Sequence, residues 1–242
     1  MSKFELPTET IELPSKGLLY PEDSELAKGT VEMKYMTARE EDILTNQSYI
    51  SKGTVLDKLM KSLIISKINY DELLIGDKNA IMVAARVLGY GKEYKFDYNG
   101  EPQNVDLSLL ENKPLSEEIL KNKTNEFSFK LPHSDNEVTF ELLTHKDEQD
   151  ISRELEGLKK INKDSSPELT TRLKYLITSV NGERDKKDVR EFVDNYLLAR
   201  DSRALREYVK EIQPDVDLTF FPDGYESGVN IPIGVNFFWP DA

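Results

Sequence analysis

The sequence predicts an α+β fold: β-hairpins forming small antiparallel sheets packed with helices, plus a C-terminal helical subdomain and a terminal hairpin. Three observations predict it. Phe127, Phe129 and Leu131 alternate with Ser128 and Lys130, and Val138, Phe140 and Leu142 alternate with Thr139 and Glu141, so each run is a strand with one apolar face. Pro132-His-Ser-Asp-Asn136 between them is rich in turn formers, which makes the pair a hairpin. Helical spacing on both sides, as in Val55, Leu56, Leu59, Met60, Leu63 and Ile64, supplies the apolar cover that a lone hairpin needs.

Residues 1–28 contain Pro7, Pro14 and Pro21 at regular spacing, with Glu-Leu-Pro twice. Proline disfavours helix at itself and at the residue before it, so this segment reads as an extended arm. Three fates are open to it: fraying, forming an edge strand of its own domain, or docking on a neighbour through Leu6 and Leu13.

Residues 29–143 read as an α+β domain around the central hairpin. Val31, Met33 and Tyr35 alternate with Thr30, Glu32 and Lys34 as a strand. Thr37-Ala-Arg-Glu40 is a capping box for a short helix to about Thr45, with Glu40-Glu41-Asp42 on a solvated face of its first turn. Thr54 with Asp57 repeats the signal, and Asp77 is placed as the cap of a third helix stopped by Gly89. Lys92–Asp97 and Gln103–Leu107 flank Asn99-Gly100, a strong hairpin turn, and residues 108–124 read as a polar link.

Residues 144–214 read as a helical subdomain of four helices. Thr144 with Asp147 opens the first, on Ile151, Leu155 and Leu158, before a charged loop over Lys159–Ser166. Ser166-Pro167-Glu168 opens the second, with the stripe Leu169, Leu173, Leu176 and Ile177 and an end at Asn181-Gly182. Asp185 to about Ala199 gives the third, on Val189, Phe192, Val193 and Tyr196, and Asp201 opens the fourth, closed by Pro214. Residues 215–242 form a terminal hairpin and an aromatic tail. Phe237, Phe238 and Trp239 in that tail either pack on their own core or anchor in a neighbouring subunit.

Charge and residue types narrow the chemistry. A net charge of −13 opposes phosphate contacts, so nucleic acid is not an expected partner. No run approaches the roughly 18 apolar residues of a membrane span, and no apolar leader opens the chain, so neither membrane nor secretion is expected. There is no cysteine, hence no disulfide and no thiolate zinc site, which fits a reducing cytosol. The two histidines, His133 and His145, lack a Gly-x-Ser-x-Gly partner motif, and no catalytic residue is assigned. Gly89-Tyr-Gly91 lacks the third glycine of a dinucleotide loop and follows a helix, so no cofactor is expected. Asp215, Asp217, Asp223 and Glu226 cluster without the EF-hand pattern, so no metal is expected. Arg200, Arg203 and Arg206 share a helix face that Asp201 and Glu207 offset, which suits solvent or a partner contact. The chain reads as non-enzymatic.

Four stretches taken together resemble a known family. They are Glu12-Leu-Pro-Ser-Lys-Gly-Leu-Leu-Tyr20, the segment Gly29–Asp42, Leu142-Leu-Thr144 and Ile231-Pro-Ile-Gly-Val-Asn-Phe-Phe-Trp-Pro240. They resemble the baseplate hub subunit family of T4-like contractile-tailed phages (the product of gene twenty-six), in its longer cyanophage form. The resemblance implies a structural or assembly protein of the baseplate hub that acts through protein–protein contacts. Its partners would be other hub and tail proteins, with a homo-oligomer left open. Its location would be the host cytoplasm during assembly, or the tail baseplate of the virion. The resemblance equally admits a hub assembly chaperone or assembly catalyst absent from the mature virion. Some relatives carry cysteine pairs in the final hairpin, like a small zinc ribbon. Here the turn reads Phe221-Pro-Asp-Gly-Tyr225, so packing of Phe220, Phe221 and Tyr225 is expected in place of zinc.

Overall fold

The computed structural model describes residues 6–161, 167–222 and 227–238. β1 (Thr8–Glu12) pairs antiparallel with β2 (Thr30–Lys34), Thr8 opposite Lys34 and Glu12 opposite Thr30. The arm expected over residues 1–28 is thus a strand of the chain's own sheet. Backbone hydrogen bonds from Leu13 N to Gly29 O and from Tyr35 N to Pro7 O continue that pairing beyond both ends of the strand. The chain turns back between the two strands through Gly17, at φ 77°, where a Cβ would lie 2.4 Å from the Ala27 carbonyl oxygen. A left-handed backbone and a carbonyl this close leave room for glycine alone.

Helices α1 (Ala38–Leu44), α2 (Gln47–Ser51) and α3 (Val55–Leu63) follow, and α3 buries Val55, Leu59, Met60 and Leu63 as its spacing predicts. Helix α4 (Ile75–Tyr90) runs past Gly89 and stops at Gly91, whose φ of 84° no helix continues. Its cap is Leu74, not Asp77, which lies inside the first turn with its side chain engaged elsewhere. β3 (Glu93–Tyr98) and β4 (Glu101–Asp106) form the expected hairpin, with Asn99 and Gly100 both at positive φ (55° and 83°). Two positive φ values in a two-residue turn match the twist of the flanking strands. The segment expected to be a polar link holds α5 (Glu117–Asn122), whose first turn is capped by the Ser116 hydroxyl accepting from Ile119 N.

The central hairpin is β5 (Phe127–Lys130) with β6 (Glu137–Phe140), Phe127 opposite Phe140. Helix α6 (His145–Ile161) opens on Thr144 and Asp147 as expected, and includes Lys159 and Lys160, which the sequence reading placed in a loop. Helix α7 (Glu168–Leu176) ends earlier than expected, because Ile177–Val180 is a strand, β7, that joins β6. The order β5-β6-β7 makes one three-stranded sheet, so the expected boundary at 143/144 divides a single sheet. Helices α8 (Lys186–Asn195) and α9 (Ala199–Ile212) complete the helical layer, and Tyr196, expected on an inward stripe, is 62% exposed. β8 (Thr219–Phe220) and β9 (Val229–Asn230) form a short terminal hairpin. One apolar cluster runs from Leu13 to Phe238 and draws on most of these segments, α6 and β9 excepted, which is an α+β architecture as the sequence predicts.

Candidate functional site

The residues expected to meet a partner have different fates. Leu6, at the start of the described chain, is 53% exposed. Leu13, Phe237 and Phe238 are fully buried in the chain's own core, which corrects their assignment as partner contacts. The reason is visible in their neighbours: the Phe237 ring meets Tyr94 edge-on at 4.8 Å and Phe238 at 5.5 Å, so the tail closes on the β3–β4 hairpin. Phe220 meets Phe96 of the same hairpin at 5.8 Å. Trp239, Asp223 and Glu226 lie outside the described residues. Arg200, Arg203 and Arg206 are exposed, and Arg203 pairs with Glu207.

Four buried or nearly buried polar groups were read from sequence as caps, surface charge or isolated histidine, and each proves to be a tertiary clasp. Asp77 accepts from Ser15 N (2.9 Å), from Ser15 Oγ (2.7 Å) and from the Tyr20 hydroxyl (2.6 Å). Burial pushes the Asp77 carboxyl above its usual range, although these three donors oppose the rise. The Tyr20 oxygen also accepts from Leu74 N at 3.0 Å, so one residue pair ties the N-terminal turn to the start of α4. Glu40, expected on a solvated face, is wholly buried and accepts from Lys34 Nζ (2.8 Å), Thr37 N (3.0 Å), Thr37 Oγ1 (2.6 Å) and Ser62 Oγ (2.8 Å). Asp201 does not cap α9. Its carboxylate receives the backbone N–H groups of His133 (2.8 Å) and Ser134 (3.0 Å), fastening the central hairpin turn to that helix.

The fourth clasp is the only group here with the residue types of an acid–base site. His145 is 3% exposed; its Nδ1 lies 2.9 Å from Lys78 Nζ and its Nε2 lies 3.3 Å from Asp57 Oδ2. The ammonium can only donate, so Nδ1 accepts from it, while Nε2 also lies 2.9 Å from the Gln149 amide nitrogen, which donates to Asp57 Oδ2 at 3.2 Å. Burial pushes the Asp57 carboxyl up, but hydrogen bonding to His145 and the nearby Lys78 charge reverse this and hold it at about 2. The Tyr70 ring covers the imidazole edge-on at 4.7 Å. The imidazole is buried between α3, α4 and α6, so the arrangement joins three helices, with Asp57 and Lys78 about a fifth exposed at its edge.

Open surface of a different kind lies beside these clasps. A cleft of about 590 Å3 is walled by the Leu19–Glu22 turn, by Leu74 at the start of α4, and by Lys123, Asn125, Glu141 and Thr144. Its lining is mainly apolar, from Leu19, Tyr20, Pro21 and Leu74, with Glu22, Glu72 and Glu141 around the mouth. Asn125 braces one wall by bonding both ways with the Leu142 backbone, donating to its oxygen at 3.0 Å and accepting from its nitrogen at 2.9 Å. No sequence signal pointed to this cleft, because its walls come from three stretches separated by about fifty residues each. Such a shape suits the binding of a chain segment.

Comparison with protein-family models, curated proteins and solved structures finds no significant match. Among the described residues, no group of three or more acidic or histidine side chains is arranged to hold a metal ion, and no helix is long and apolar enough to cross a membrane.

Proposed function

We propose that this chain is a structural or assembly protein of the baseplate hub of a T4-like contractile-tailed phage, working by protein–protein contact and without catalysis. One observation carries the proposal: stretches that bear the family resemblance, far apart in sequence, belong to one junction of the fold. Leu13 N bonds Gly29 O, Tyr20 OH accepts from Leu74 N, and Leu74 forms a bridge with Thr144. Tyr20 and Thr144, from two of those stretches, line the same cleft. The tail stretch packs instead on the β3–β4 hairpin, so three of the four stretches meet at this junction, and their meeting supports a shared framework.

The proposed partners are other hub and tail proteins, met in the host cytoplasm while the baseplate is built. Co-expression of the tagged chain with the hub proteins of a T4-like phage, followed by affinity purification, tests this. Recovery of at least one hub protein at a stoichiometric level is the expected result. Purification of the chain alone, under conditions where the hub proteins are soluble, would overturn the proposal. Mass spectrometry of finished tails then separates a resident component, which persists, from an assembly chaperone, which does not.

A further inference from the structure

We infer that the cleft beside Tyr20 is a docking site for an extended segment of another protein that carries lysine or arginine between apolar residues. The inference rests on the reading of the chain as one that works through protein contacts, and not on which assembly it joins. Two properties of the cleft select this occupant. Leu19, Pro21 and Leu74 offer an apolar wall, which takes up apolar side chains of the incoming segment. Three carboxylates, Glu22, Glu72 and Glu141, and one cation, Lys123, line the cleft, and Glu141 also shares the adjoining depression with Arg184. A neighbouring depression shares Pro21 and Glu72 and adds Asp23, Lys67 and Glu25, the last of which is paired with Lys28.

No side-chain ion pair holds Glu22, Glu72 or Glu141 among the described residues, although Glu72 accepts from Asn69 Nδ2 at 2.7 Å, whereas carboxylates such as Glu126 and Glu154 are taken by arginines. Burial and the like charges of Glu126 and Asp147 raise the Glu141 carboxyl above its usual range, the Arg184 charge opposes the rise, and a further ammonium or guanidinium would favour the charged form. The volume of about 590 Å3 is enough for a short segment of chain. The overall charge of −13 steers a basic partner toward the chain, and the cleft gives that attraction a place to end.

The probe is a fluorescein-labelled hexapeptide of alternating leucine and lysine, titrated with the full chain at physiological salt and read by fluorescence anisotropy. Paired substitutions separate the cleft from general charge: Glu22→Gln with Glu141→Gln in the cleft, and Glu156→Gln with Glu191→Gln on helices away from it. The cleft pair should weaken binding by about tenfold or more, while the remote pair, with the same change in net charge, stays within about twofold. A lysine-only hexapeptide should bind more weakly than the mixed one. Equal weakening by the two pairs, or equal affinity of the lysine-only peptide, would overturn the inference and leave non-specific attraction to an acidic surface. Amide chemical shifts of the unmodified chain give a reading that needs no variant: titration should move Glu22, Thr124 and Thr144, and shifts confined to other surfaces would also overturn it. Peptide binding at the cleft without recovery of any hub protein would defeat the phage assignment alone. Hub recovery without peptide binding would defeat the cleft alone.

Discussion

Replacing Glu40 by Gln tests whether a buried carboxylate holds the first sheet to its helices. Glu40 is wholly buried and its partner Lys34 is 19% exposed, so this ion pair is far less screened than a surface pair. Burial pushes the Glu40 carboxyl up, but hydrogen bonds from Lys34, Thr37 and Ser62 more than reverse this and bring it from 4.5 to about 2. A carboxyl with a depressed folded-state pKa contributes stability that is complete above its unfolded value and is lost as pH falls through the folded one. The window is therefore about pH 4.5 down to about 2. The full shift corresponds to about 3 kcal/mol, and allowing for the solvent reaching Lys34 leaves about 2 kcal/mol. Urea denaturation at pH 7 should show Glu40→Gln less stable than the parent by about 2–3 kcal/mol, with the gap narrowing steadily below about pH 4.5. Lys34→Met in the same background should cost less than it does alone, since the two side chains act together. A gap under about 0.5 kcal/mol at pH 7, or one that stays constant down to pH 3, would refute the reasoning.

The remaining predictions concern the other clasps and the two chain segments expected to reach outward. Phe237→Ala should lower stability of the isolated chain by about 3–5 kcal/mol through the cavity it leaves against Tyr94, and an unchanged melt would show that the ring is not core. Asp201→Ala should cost about 1–3 kcal/mol and speed hydrogen exchange at the His133 and Ser134 amides, and unaltered exchange there would contradict the clasp. Deleting residues 1–12 removes β1 and should abolish or broaden the cooperative thermal transition, whereas a preserved sharp transition would mean that β2 does not need it.

What the sequence disclosed was local. The alternation at Phe127–Leu131 and Val138–Leu142, the Asn99-Gly100 turn and the Thr144–Asp147 start of α6 all act within a few residues, and all are present. Misreadings arose where a distant partner claimed a residue with a sound local role. Asp77 and Asp201 each lie inside the first turn of a helix, close to a cap position in sequence, but Ser15, Tyr20 and the His133–Ser134 backbone engage their carboxylates. Leu176 and Ile177 continue a helical stripe, and the available counter-signal was the run Ile177-Thr-Ser-Val180, with two β-branched residues followed by another after Ser179. Its pairing with β6 settles the contest, because Ile177 and Ser179 are then buried on one face. The aromatic tail looked suited to a neighbour because the β3–β4 hairpin that receives it lies about 140 residues earlier. The cleft was invisible for the same reason.

Helix α4 is built into both ends of the described chain. At Gly76 a Cβ would fall 1.8 Å from the Pro214 carbonyl oxygen, Asp77 holds Ser15, and Asn79 donates to Asp215 at 3.0 Å. The last of these contacts spans 136 positions. During synthesis the ribosome delivers α4 well before Pro214, so the helix must wait with one side uncovered while the intervening sheet and helices form. Early closure on Ser15 and late closure on Pro214 are separate events on a single helix. Until the second closure the exposed side of α4 waits for its cover, and the net charge of −13 on the full chain opposes association between copies.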